Sequence, residues 1–213
     1  MKPNEHEYKV MGLASYSQSP SHIKPVEQIF YDAVDFRDGE FINDKPLIDS
    51  YFDLKNRLEG HRFDNIAAGL QNWCTGVTAA WVKHWLKETG KRGVCFSGGL
   101  SMNIKTNGEL ALLDELDWLS VPASGGDESL SAGACFVMAD TESRIPVEHV
   151  YLGEAPDTPR SEWFSKLGDS SLTADDFGLV ENLDVSMAAK LLAGDIIIAR
   201  CVGPSEFGAR ALG

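Results

Sequence analysis

The spacing of apolar residues changes along the chain, and each change predicts an element. Over residues 63–88, Phe63, Ile66, Ala67, Leu70, Cys74, Val77, Trp81 and Trp85 fall at spacings of three and four. That spacing predicts one long amphipathic helix with these side chains on a single stripe. Gly90 supplies its stop, with Lys87 and Lys91 near the negative end of the helix dipole. A short apolar run at 94–96 then meets the glycine turn Ser97-Gly98-Gly99, and a helical pattern follows from about Asn103. A second run at 118–121 meets Pro122 and the turn Gly125-Gly126-Asp127, and a small-residue helix starts near Glu128. The connections are short enough to predict parallel strands with right-handed crossovers.

Outside this stretch the pattern is thinner. Residues 1–25, with Pro3, Pro20 and Pro25, read as loop around one short helix at 7–14. The runs 30–36 and 40–42 flank Arg37-Asp38-Gly39, and Asp-Gly between two runs predicts a hairpin or a tight turn. A short helix is expected at 51–58. Residues 140–175 carry Pro146, Pro156 and Pro159 and read as an interdomain connection with a short helix around 163–167. A new unit follows: a helix at 185–193 capped by Gly194, a buried strand at 196–202, and the loop GPSEFGARALG. Both ends look cut, so a piece of a longer protein is expected. The domains expected are therefore 1–145, a connection at 146–175, and a truncated domain at 176–213.

Composition narrows the functional classes. A hydrophobic content of 43% supports a real core, and the formal net charge of −13 disfavours nucleic acid and anionic membrane surfaces as partners. No apolar run reaches membrane-spanning length. Cys74, Cys95, Cys135 and Cys201 show no paired spacing and read as buried thiols of a cytoplasmic protein. The five histidines show no metal-ligand spacing; His84 reads as a helix-surface residue, and only His6, in the opening polar string, stays under consideration.

Strand, glycine turn and helix in succession present backbone amides to a ligand at the carboxyl ends of strands. Two such turns suggest one nucleotide or phosphate site built from both. Asn103 and Asn107, four apart, share a helix face beside the first turn, and their amides suit a ribose or an adenine edge. Capping is the alternative for Asn103; Asn107 lies one turn too deep for it. Asp127 is either an N-cap or a carboxylate for a metal that grips phosphates. Glu128 reads as a structural first-turn acid. In the last loop, Glu206 and Arg210 either pair with one another or meet a phosphate or carboxylate.

Four strings, in order, resemble the NodU/CmcH family of O-carbamoyltransferases. An EHKVMGLAPYG-like string stands here as EHEYKVMGLASYS, Glu5 to Ser17. A GGVALN…N string is matched by Gly98-Gly99-Leu100-Ser101-Met102-Asn103 and Asn107. A P…GDxGxxxGAA string is matched by Pro122 and by Gly126-Asp127 through Gly133-Ala134, and an EFGPRALG string by Glu206 to Gly213. Ser15 and Ala209 replace motif prolines, and Ser129 stands where the family has a glycine.

The resemblance implies an α/β fold: the second subdomain of an actin/Hsp70/sugar-kinase (ASKHA, Kae1-like) ATPase domain, followed by the start of a YrdC-like α/β domain. It implies ATP, carbamoyl phosphate and a divalent metal, iron or magnesium, and a hydroxyl-bearing small-molecule acceptor. Gly98, Gly99, Asn103 and Asn107 would bind nucleotide and Asp127 the metal, while Lys9, Glu206 and Arg210 would contact substrate or phosphate. The family's HxxxH segment has no counterpart here, so this chain alone is expected to be inactive, and exposed apolar surface would favour a homodimer. The competing readings are a PP-loop ATP pyrophosphatase, whose SGGxDS loop Ser97-Gly98-Gly99-Leu100-Ser101 approaches, and a non-catalytic nucleotide-binding domain.

Overall fold

The computed structural model describes residues 6–140, 142, 147, 149–154, 183–200 and 203–208. It is a mixed α/β, helix-rich structure with two small sheets, and the chain divides into two units, residues 1–142 and 143–213. The first unit is built around α4, Phe63–Thr89, a helix of 27 residues. Asp64 in its first turn and Lys87 in its last suit the helix dipole, and Gly90 ends it in a left-handed conformation at φ 64°.

The first half of α4 packs on α2, Pro20–Ala33. This helix begins where the sequence predicts loop, and its last turn takes up residues 30–33 of the run expected to flank the hairpin turn. Pro20 occupies the first turn, where its missing N–H costs nothing, but Pro25 lies inside and removes one helical hydrogen bond. The burial of Ile23, Val26, Phe30 and Ala33, on one face at steps of three and four, outweighs that loss. Two glycines of α4 let α2 come close. A Cβ on Gly69 would lie 2.8 Å from the backbone nitrogen of Glu27 and 2.9 Å from Val26, and one on Gly76 would strike the Tyr31 hydroxyl. Trp73 donates its indole N–H to the Val34 carbonyl at 2.6 Å, and its ring lies 5.8 Å from that of Phe30. Helix α1, Glu7–Leu13, and a 3-10 turn at Ala14–Tyr16 rest on the same half of α4, and the Ser17 hydroxyl donates to Asn65 at 2.6 Å.

The Asp-Gly turn forms the predicted hairpin, β1 Asp35–Arg37 paired antiparallel with β2 Glu40–Ile42. Asp38 and Gly39 both take positive φ, 53° and 91°, as a two-residue hairpin turn of the primed kind requires. Gly39 also leaves room for the His84 ring, where a Cβ would lie 2.9 Å away. His84 is thus no simple surface residue: it is half-buried, edge-on to Phe36 at 5.5 Å, and ties the hairpin to α4. Helix α3, Ser50–Leu58, is capped by the Asp49 carboxylate, which accepts from the N–H groups of Tyr51 and Phe52.

The second half of α4 delivers the chain to β3, Gly93–Cys95, which pairs in parallel with β4, Trp118–Ser120. Between them lies α5, Ile104–Ala111. Val82, Leu86, Phe96 and Leu110 form the core beneath this pair. After β4 come a 3-10 turn at Asp127–Ser129 and α6, Leu130–Met138.

The stripe predicted on α4 is rotated. Ala67 and Val77 are buried, but Phe63 is 80% exposed, Trp81 and Trp85 are exposed, and Gln71, Thr78, Val82 and Leu86 are buried. A count of apolar spacings misses polar residues that are buried because they bond to one another. The thiols are also misplaced by sequence: Cys74 is half-buried, but Cys95 and Cys135 are exposed, because β3 lies in a two-stranded sheet and α6 buries none of its residues.

In the second unit, α7, Val185–Ala193, is capped by the Asp184 carboxylate on the N–H of Met187 at 2.9 Å. Residues 196–200 do not form the predicted strand: they have no strand partner among the described residues, Ile197 is 97% exposed, and residues 201–202 lie outside the described residues. The helix expected at 163–167 lies outside the described residues. Among the described residues no helix is long and apolar enough to cross a membrane.

The glycines of α4 yield a directional test. Alanine normally favours a helix interior over glycine by about 1 kcal/mol. Gly69→Ala should instead lower stability in urea denaturation by roughly 1–3 kcal/mol, since a backbone nitrogen cannot step aside. Gly133→Ala on α6, with nothing within 4 Å of the added carbon, should be neutral or stabilising.

Candidate nucleotide-binding turns

Beyond its three paired residues, the β3–β4 ladder continues into the loops. Phe96 N–H donates to the Ser120 carbonyl at 2.9 Å, and Gly98 N–H to the Gly125 carbonyl at 3.0 Å. The two glycine turns are therefore bonded directly to each other at the carboxyl ends of adjacent parallel strands. The other polar group of Gly125, its N–H, donates to Met102 Sδ at 3.2 Å. A Cβ at Gly125 would collide with the Ser101 hydroxyl and lie 3.0 Å from the Gly98 carbonyl. Glycine is required here by the closeness of the second loop.

The first turn is closed by Ser101, buried at 2% exposure, whose N–H and hydroxyl both donate to the Gly98 carbonyl, at 2.9 and 2.8 Å. Gly98 takes φ 99°, and neither it nor Gly99 has any atom within 4 Å of where a Cβ would stand. Their outer side is open to a ligand.

Asn103 is the N-cap of α5, its Oδ1 accepting from Thr106 N–H at 3.1 Å. Its amide is also paired with that of Gln71, which spacing did not single out. Asn103 Nδ2 donates to Gln71 Oε1 at 3.0 Å, and Gln71 Nε2 donates back to Asn103 Oδ1 at 3.2 Å. Gln71 Nε2 also reaches Thr75 at 3.0 Å and the fully buried Thr106 at 3.2 Å. Asn107 does not cap. It donates Nδ2 to the Ser101 carbonyl at 2.7 Å, and its buried Oδ1 has no hydrogen-bond partner among the described residues. Cys74 stands beside this network; burial pushes its thiol above the ordinary value, against hydrogen bonds with Thr106 and Thr78.

In the second turn the buried Ser124 donates its hydroxyl to Glu128, which holds the Glu128 carboxyl below its ordinary value. Ser129 donates to the carbonyls of Ser124 and Gly126, at 2.7 and 3.1 Å. Asp127 is not the cap. The residue before the 3-10 turn is Gly126, no side chain caps that turn or α6, and the Asp127 carboxylate is exposed. No group of three His, Cys, Asp or Glu converges on a metal position among the described residues. Asp127 thus provides one carboxylate, which fits an ion shared with a ligand's phosphates better than a resident metal held by the protein alone.

The opening string walls a cleft of about 560 Å³ lined by Met11, Gly12, Ser15, Gln71, Ile104 and Lys105, among others. A smaller cleft of about 240 Å³ shares Met11 and Gln71 with it and reaches Asn103. Gly98, Gly99 and Asp127 line neither. Lys9 is exposed, its ammonium 5.7 Å from the Tyr8 ring centre. Glu206 pairs through its backbone with Tyr151 within the second unit, and Arg210 lies outside the described residues.

Residues 1–136 match the family model described as carbamoyltransferase N-terminus. The chain belongs to the carbamoyltransferase family. That is the NodU/CmcH family its four strings resemble. This carbamoyltransferase chain is 28% identical over 219 residues to the nodulation protein NolO of Bradyrhizobium diazoefficiens, covering 97% of the chain and 38% of NolO. It is 27% identical over 218 residues to NolNO of Sinorhizobium fredii, covering 97% of the chain and 31% of NolNO. An uncharacterized protein of Synechocystis is 26% identical over 238 residues, covering 100% of the chain and 38% of that protein. The carbamoyltransferase chain thus spans about a third of the length of these relatives. The family match includes Ser97 to Ser101 and leaves the pyrophosphatase reading of that loop without a counterpart.

Stability measurements separate the two candidate caps. Asn103→Ala removes a cap and strands the buried Gln71 amide, and should cost roughly 2–4 kcal/mol in urea denaturation. Asp127→Ala should change stability by less than about 0.5 kcal/mol, as expected of an exposed side chain with no bonded partner among the described residues.

Proposed function

We propose that this chain forms the second subdomain of an ASKHA-type, Kae1-like ATPase domain, and that the two bonded turns bind the nucleotide of a carbamoyl-transfer reaction. The observation that carries the reading is the Gly98–Gly125 hydrogen bond, which fuses two strand-end turns into one platform. The open side of Gly98 and Gly99 accommodates phosphate oxygens close to the backbone. The Asn107 amide stands behind the first turn and holds it in shape through the Ser101 carbonyl. Asp127 supplies one oxygen to a divalent ion, magnesium by preference, that arrives with the phosphates.

In the whole family polypeptide, water would cleave carbamoyl phosphate to carbamate and inorganic phosphate. The carbamate oxygen attacks the α-phosphorus of ATP, giving carbamoyl-adenylate and pyrophosphate. A hydroxyl of a sugar or other small metabolite then attacks the carbamoyl carbon, loses its proton and displaces AMP. This chain's part is to hold and orient the nucleotide. Among the described residues no three His, Cys, Asp or Glu converge on a metal position, and the chain alone is not expected to complete the transfer.

Titration calorimetry with ATP and magnesium tests the reading. Wild type should bind, and Asp127→Ala should bind at least about tenfold more weakly, the loss expected for a charge-assisted metal contact. Equal magnesium-dependent affinity in both proteins would remove Asp127 from the site. A parallel assay with carbamoyl phosphate and a sugar acceptor should show no ATP-dependent carbamoylation by the chain alone; turnover would refute the division of labour.

A further inference from the structure

We infer that Gln71 is a positioning residue for the nucleotide-binding turns, acting through the side-chain amide of Asn103; the inference rests on the nucleotide reading above. Gln71 projects from α4 and is 8% exposed. Its amide and that of Asn103 form a reciprocal pair, each donating to the other's oxygen, at 3.0 and 3.2 Å. Such a pair fixes both orientations, because turning either amide over would set donor against donor. Behind it, Thr75 and Thr106 lie 3.0 and 3.2 Å from Gln71 Nε2 and 3.0 Å from each other.

The bonds link α4 to the first turn in a connected network. The two threonines on α4 and α5 orient Gln71, and Gln71 orients Asn103. Asn103 Oδ1 then caps α5 at the point where the first turn enters it. From that helix Asn107 holds the Ser101 carbonyl, and Ser101 closes the turn on Gly98. Gln71 is hydrogen-bonded to none of the turn residues 97–101 among the described residues, so its influence on them passes through Asn103 and the first turn of α5.

The test uses Gln71→Leu, which keeps the size and removes the amide, and Gln71→Glu, which keeps an acceptor and loses the donor. Hydrogen–deuterium exchange of the amides at 98–106 should rise about tenfold in Gln71→Leu while those of α2 stay protected, as for local opening of one unit. The affinity for magnesium-ATP should fall about tenfold in both variants, with no further fall when either is combined with Asn103→Ala. Unchanged exchange at 98–106 overturns the inference, as do losses that simply add to that of Asn103→Ala. If Gln71→Leu does not fold, the same measurements on Gln71→Glu decide. If wild type binds no nucleotide, the functional reading fails and the exchange measurement alone judges the positioning role.

Discussion

Both backbone polar groups of Gly125 are bonded to the other glycine turn: its carbonyl accepts from Gly98 and its N–H donates to Met102. Two loops separated by more than twenty residues of sequence thereby become one surface. The parallel pairing of β3 and β4 brings the strand ends side by side, and the lack of a side chain at Gly125 lets the loops close on each other. Every functional reading of the chain depends on this contact. Without it Asn103 and Asp127 would belong to unrelated loops.

What the sequence shows and what it hides follow from the kind of interaction involved. The long helix, the parallel strands, the hairpin and the glycine turns are legible because they rest on local signals: apolar spacing, positive φ and caps. Helix α2 is hidden by Pro25, since local propensity argues against a helix that burial against α4 sustains. The rotation of α4 is hidden for a related reason. Gln71, Thr75 and Thr78 count as polar in a spacing argument, yet they face inward because other polar groups meet them there.

The candidate site shows the same division. Gly98, Gly99, Asn103, Asn107 and Asp127 stand out by type and position, but the duties of three of them needed coordinates. Asn103 caps and pairs, Asn107 holds a carbonyl, and Asp127 caps nothing. Gln71 carries no motif, and only its register against Asn103, 32 residues away, shows what it does. A signal existed: a glutamine amid small and apolar residues on a helix that must be buried needs partners of its own.

The build of α4 has a mechanical consequence. Its 27 residues hold no proline, and neighbouring atoms of α2 fill the outside of both its glycines, so the rod has no hinge along its length. The opening string lies against its first half, and the amide of Gln71 meets Asn103 from that same half. A push on the string from a neighbouring body would therefore meet a stiff rod at the level of Gln71, one bonded step from the platform.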